Sequence, residues 1–139
     1  MNIQQLMRQL ELHEGFRSKP YKDSVGVLTI GIGRNLDHVG ISRDEALYML
    51  ENDIEKCIQA ARRYDWYPHL SEMRQRVVVD MIFNLGEAGF SKFKRTIGFI
   101  ADGNYEQAAK NMLKSKWAKQ VGRRAITLSK MMETDGEVK

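Results

Sequence analysis

Residues 13–34 read HEGFRSKPYKDSVGVLTIGIGR, and this stretch carries most of what the chain says about its fold. Before it, Ile3, Leu6, Met7 and Leu10 recur at helical spacing behind Asn2, a residue type that caps helix starts, and Gly15 stands where such a helix would stop. The first helix therefore ends at Glu14. From Pro20 to Ile32 the period changes. β-Branched and aromatic residues flank the turn sequence Asp23-Ser24-Val25-Gly26, and the segment reads as a β-hairpin. It is the one strand region the sequence announces.

Beyond the hairpin the pattern is helical. A short polar loop from Arg34 to Gly40 leads to Ser42 and Glu45, a Ser-x-x-Glu capping box. The helix it opens should run to about Arg63 with Ala46, Leu50, Ile54, Cys57, Ile58 and Ala61 as its buried stripe. At 1.5 Å per residue it spans roughly 30 Å, enough to connect two lobes. Tyr64 to Leu70, with Trp66 and Pro68, reads as a turn packed by its own rings, and Ser71 caps the next helix. Through VVVDMIFNLG that helix is apolar on nearly every side, so it should be buried and central, with Gly86 closing it. Shorter helices are expected at about 92–101, 105–116 and 123–132, before a polar tail from Glu133. The expected class is α+β, mostly α: one domain over 1–139, with a small hairpin lobe at about 14–42, a connecting helix at about 43–63, and a helical lobe at about 64–132 that takes in helix 1–13.

Composition narrows the chemistry. With 139 residues, 42% hydrophobic and 29% charged, the chain has the balance of a globular domain, which at this size buries roughly two-thirds of its unfolded surface. The single Cys57 excludes an intramolecular disulfide and any cysteine cluster for zinc. His13, His38 and His69 fall in three different elements without a paired spacing, so no metal is expected, and no cofactor either. TIGIGRNL has Leu36 where a dinucleotide loop needs its third glycine. No apolar run is long enough to span a bilayer, so no integral membrane segment is expected. The N-terminal stretch mixes Gln, Arg and Glu among its apolar residues, unlike a secretory signal, so synthesis as a cytoplasmic protein is expected. The net charge of +4 is concentrated around Lys92, Lys94 and Arg95 and from Lys110 to Lys130. That favours a polyanionic partner, whether nucleic acid, an anionic membrane surface or an acidic cell wall, though a solvated helical surface explains it as well.

Hydrolysis of a glycosidic bond needs a protonated acid at the leaving oxygen and, in an inverting enzyme, a carboxylate that steers water to the opposite face of the sugar. Glu14 at a helix end and Asp23 at a hairpin tip supply two acids on different elements, and a cleft between lobes would let them face each other. Thr29, on the returning strand, could hold the same water. Singly, each also has an ordinary reading: an exposed helix-end acid, a turn residue and a strand threonine. The combined spacing sets them apart.

Glu14, eight residues, Asp23, five residues, Thr29 resembles the catalytic signature of the phage-type lysozymes, with the same Tyr-Lys-Asp and Thr-Ile-Gly-Ile-Gly words. SRDEA, MIFNLGEAGF and SKWAKQVGRRA extend the resemblance to about Met132. It implies a lysozyme-like fold and a muramidase that cuts bacterial peptidoglycan with Glu14 as acid and Asp23 and Thr29 on the water. It also implies an endolysin that acts as a monomer on the wall after holin-dependent release, with no nucleic-acid partner. By position it makes Phe83, Thr96 and Asn111 substrate contacts and gives Arg124 the place of an arginine that pairs with the catalytic glutamate. From the residues alone, Phe83 reads equally as a core aromatic, Thr96 and Asn111 as polar helix residues and Arg124 as a basic surface residue. Arg34 departs from the family's histidine and could pair with Asp53, while Asn35 replaces an apolar cleft residue. The short stretch between Gly33 and Ser42 leaves no room for the extra strand and helix of larger relatives. The competing classes are a lysozyme-like module that binds the wall or serves as a scaffold without cutting, and a basic helical protein that binds nucleic acid.

Overall fold

The structure, a computed structural model, describes residues 1–136. It is α+β and mostly α, with a three-stranded antiparallel sheet among the described residues. Two compact units divide the chain, Met1–Met49 and Leu50–Lys139.

The first unit opens with α1, Ile3–Glu14, whose Asn2 Oδ1 accepts from the Gln5 amide at 3.0 Å. None of its residues is buried, and Ile3, Met7 and Leu10 are exposed. Strands β1, Arg17–Lys22, and β2, Leu28–Gly31, form the expected hairpin, in which Tyr21 pairs with Thr29 and Lys22 with Leu28. A third strand, β3, Arg34–Asn35, adds to β2 and sets Asn35 opposite Thr29. It overturns the expectation of a bare hairpin: two residues are too few to show a period of two, and the strand exists only because β2 offers it an edge. Asp37 fixes the following loop by accepting the Leu28 amide at 2.9 Å.

The capping box forms as the sequence requires. Ser42 Oγ accepts from the Glu45 amide at 3.2 Å, and Glu45 Oε1 accepts from the Ser42 amide at 2.8 Å. The helix it opens, α2, is Arg43–Ala61. Of its expected buried stripe only Ala61 is buried, next to Ala60, which the pattern did not include, while Ala46, Cys57 and Ile58 are half-buried. Leu50 and Ile54 stay exposed, because they border a cavity instead of filled core.

All buried apolar residues among those described lie between Ala60 and Met132, so the core belongs to the second unit. A short 3₁₀ turn, Tyr67–His69, leads into α3, Glu72–Ser91, capped by Ser71 Oγ on the Arg74 amide at 3.2 Å. Val77, Val78, Met81 and Ile82 bury one side of α3. Gly86, at φ 76° and ψ 164°, breaks the helix without ending it, and Phe90 beyond the break is fully buried. Phe90 meets the Tyr64 ring edge-on at 5.7 Å, and Tyr64 stacks on Trp66 at 4.9 Å, the self-packed aromatic turn expected from sequence.

Helices α4, Lys94–Ala101, and α5, Tyr105–Leu113, then α6, Lys116–Val121, and α7, Arg123–Thr134, complete the unit. The sequence pattern ran α5 on to Lys116. Instead, Ser115 caps a separate α6 by accepting the Ala118 amide at 3.1 Å. Arg74 ties α3 to the end of α7: its Nε donates to Met132 O at 2.7 Å, and its guanidinium lies 3.8 Å over the Tyr105 ring.

Candidate active site

Glu14, Asp23 and Thr29 all belong to the first unit. Glu14 is the last residue of α1 and is exposed. Its carboxyl lies against the backbone of Gly33, in the turn between β2 and β3. A Cβ built on Gly33 would stand 2.9 Å from Glu14 Oε2 and 3.0 Å from its Cδ. Gly33 has φ +71°, a conformation that favours glycine, and a side chain here would displace the exposed Glu14 carboxyl.

Asp23 is half-buried at the start of the β1–β2 turn. Its Oδ1 accepts the amides of Val25 at 2.9 Å and Val27 at 2.8 Å, which locks the side chain and the turn together. Oδ2 takes part in neither bond. Thr29 is buried, and its hydroxyl donates to Val27 O at 2.9 Å. The expected proximity of Thr29 to Asp23 therefore runs through Val27: Asp23 holds its amide and Thr29 its carbonyl. Strand alternation puts Tyr21 and Asp23 on one side of β1 and its turn, with Thr29 opposite Tyr21 and diagonal to Asp23. The Thr29 proton is committed to Val27, which leaves its oxygen lone pairs as acceptors.

Arg34 does not take Asp53 as partner. Its guanidinium grips Glu45 with both nitrogens, Nη1 to Oε1 at 2.7 Å and Nη2 to Oε2 at 2.5 Å, and donates to Gly40 O at 3.1 Å. Glu45 is already fixed by its capping bond to Ser42, so it meets the arginine fork without further ordering. The Arg34 hydrogen bonds, with that of the Ser42 amide, hold the Glu45 carboxyl well below the usual range, at about 2. Asn35 points its Oδ1 at the His38 amide, 2.9 Å away, and serves the loop.

The remaining sequence candidates lie in the second unit. Phe83 is partly exposed, and with Arg124 it lines a cavity of about 430 Å³ that also includes Leu50, Ile54, Val79 and Asp80. Arg124 is held by Asp80: Nε donates to Oδ1 at 2.8 Å and Nη2 lies 2.6 Å from the same oxygen. Thr96 is fully buried and donates to Asn111 Oδ1 at 2.8 Å, so these two act as one unit with Asn111 outermost. Trp117 Nε1 donates to Asn84 Oδ1 at 2.7 Å.

Two residues escaped the sequence reading. Gly33 drew notice only as part of a failed dinucleotide loop, although a Gly-x-Gly pair leaving a strand signals close backbone approach. Asp80 is the lone charge within VVVDMIF, and at a partly exposed position it pairs with Arg124. Burial, with Asp53 adding, pushes the Cys57 thiol up, away from the thiolate form. Among the described residues, no group of three His, Cys, Asp or Glu side chains is placed to hold a metal, and no helix is long and apolar enough to cross a membrane.

The phage lysozyme family model matches residues 11–133, a span that includes Glu14, the hairpin and all but the last residue of the helices after α1. Among curated relatives, probable T4-type lysozymes 2 and 1 of Dictyostelium discoideum are 23% and 24% identical, each match covering 95% of this chain and 95% of the relative. The SAR-endolysin of Escherichia phage Mu is 26% identical over 91% of this chain and 78% of its own length. A family match of this extent, on an α+β architecture with a small antiparallel sheet, places the chain in the phage lysozyme family of lysozyme-like glycoside hydrolases.

Proposed function

We propose that the protein is a muramidase that hydrolyses the β-1,4 bond from N-acetylmuramic acid to N-acetylglucosamine in bacterial peptidoglycan, with inversion. The observation that carries this reading is an exposed acid, Glu14, in the same unit as an Asp23 fixed through only one of its carboxylate oxygens. Glu14 donates its proton to the leaving O4 of the glucosamine unit as the C1–O4 bond breaks. A water adds to C1 from the opposite face and loses its proton to Asp23 Oδ2. Thr29, whose hydroxyl proton is engaged by Val27, accepts the second hydrogen of that water. An inverting enzyme needs about 6.5–9.5 Å between its carboxyls to seat the water, and a direct nucleophile only about 5–5.5 Å. A rigid turn that commits Oδ1 elsewhere suits the steering of water better than attack on the sugar.

Within the second unit, Asn111 is the proposed sugar contact with Thr96 as its positioning partner, and Phe83 and Arg124 are the other proposed contacts. The biological role that fits is host-cell lysis by a monomer, made in the cytoplasm and released to the wall through a separate holin pore. Turbidity clearing of outer-membrane-permeabilised bacteria tests the activity. Proton NMR of freshly cleaved glycan tests the stereochemistry: the α-anomer should appear first, and an initial β-anomer would replace the water-steering role with direct carboxylate attack.

A further inference from the structure

The basic half of the second unit gathers cations that the glycosidase reading leaves unused, beside Asn111, which that reading does use. Between Lys92 and Lys130 the chain carries ten lysines and arginines against two acids, Asp102 and Glu106. Neither acid serves the cations at the start of α4. Glu106 bonds Lys110 at 3.2 Å, and Asp102 is the C-cap at the opposite end of α4.

Lys92, Lys94, Arg95 and Lys114 line one cavity of about 330 Å³, together with Phe93, Asn111 and Ser115. These cations come from three places, the end of α3, the first turn of α4 and the end of α5, and the cavity lining includes no carboxylate. By contrast Arg34, Arg63, Arg74, Lys110 and Arg124 each have an acidic partner. Four like charges around one hollow repel one another, weakly because all four are exposed, and an anion shared among them would relieve that repulsion.

The chemistry of the lining narrows the anion. Arg95 offers a planar fork and the lysines rotatable point charges. Asn111 accepts Thr96 on its Oδ1, which leaves its amide hydrogens to donate. The first turn of α4 has no side-chain cap, and cations instead of acids occupy it. Donors carried on three different elements suit a compact tetrahedral anion with three free oxygens better than a flat carboxylate.

We propose that this cavity is a phosphate-ester site, separate from Glu14, Asp23 and Thr29, which takes the phosphate of a lipid headgroup or of a soluble glycerol phosphate. Wild-type protein titrated with glycerol phosphate should show saturable amide shifts at Lys94, Arg95 and Lys114. In Arg95→Gln/Lys114→Gln the dissociation constant should rise at least about tenfold, since each lost charge-assisted bond is worth about that factor. The variant should keep its thermal midpoint, because only exposed repelling charges are removed. Lys94→Glu provides a second route to the same loss. Co-sedimentation with phosphatidylglycerol vesicles, against phosphatidylcholine vesicles, separates the two sources. Sedimentation that glycerol phosphate reverses identifies a lipid headgroup, and saturable glycerol phosphate binding without sedimentation identifies the soluble ester. Absence of saturable binding, equal binding by the double variant, or vesicle binding that glycerol phosphate does not reverse would each overturn the site in favour of a diffuse cationic surface.

Discussion

The carboxyl of Glu14 occupies the space that a side chain on residue 33 would need, with Oε2 2.9 Å from an ideal Cβ on Gly33. The acid at the end of α1 is thereby fitted to the β2–β3 turn, and Gly33 becomes part of how the acid is placed.

Gly33→Ala should lower lytic activity at least about tenfold by displacing the Glu14 carboxyl, and cost about 1–2 kcal/mol through its left-handed backbone. Gly31→Ala separates the two effects. Gly31 has φ +69° with nothing within 4 Å of the added methyl, so it should lose similar stability and keep its activity. Clearing rates and thermal melts of both variants make the comparison, and equal activity loss would mean that backbone strain alone matters.

Asp23 has a structural duty as well as the proposed chemical one. Asp23→Asn keeps an oxygen for the Val25 and Val27 amides and removes the carboxylate, so it should fold normally and lose lytic activity. Asp23→Ala should be inactive and also less stable by about 1–2 kcal/mol, because two turn amides lose their acceptor. Glu14→Gln, at an exposed position, should abolish activity with an unchanged melting midpoint. Lysis at the wild-type rate by Asp23→Asn or Glu14→Gln would remove that residue from the mechanism.

Thr29→Ser retains the hydroxyl bonded to Val27 O and should retain most activity. Thr29→Val keeps the shape, loses the hydroxyl, and leaves Val27 O without its side-chain donor, at a cost of about 1 kcal/mol. Its activity should fall severely. Equal activity in the serine and valine variants would reduce Thr29 to a buried strand residue.

The Arg34–Glu45 pair predicts an acid-sensitive first unit. The Glu45 carboxyl is lowered from 4.5 to about 2, chiefly by the hydrogen bonds of Arg34, so the folded state binds this proton less readily than the unfolded chain. The stabilisation is present above pH 4.5 and is lost as pH falls from there toward 2. In Glu45→Gln the thermal midpoint should start lower at neutral pH and fall less across that window. A parallel decline in wild type and variant would show that other carboxylates govern the acid transition.

The sequence by itself determined most of the local elements and the family. Asn2, Ser42 and Ser71 announced helix starts because a cap is a bond between a side chain and an amide two or three residues away. The Asp23 turn was legible for the same reason, and the spacing of Glu14, Asp23 and Thr29 pointed to the family whose model the chain matches. What the sequence could not give are choices between partners distant in the chain. The sequence pointed Arg34 to Asp53, and the folded chain instead sets it on Glu45, with Gly40 O as a further acceptor. Strand β3 has no period to read, and it forms because β2 presents an open edge. Leu50 and Ile54 satisfy the pattern of a buried stripe, yet burial depends on which atoms arrive from elsewhere, and here they border a cavity. The contact between Glu14 and Gly33 crosses the whole β1–β2 hairpin, and only the folded chain brings that acid to that glycine.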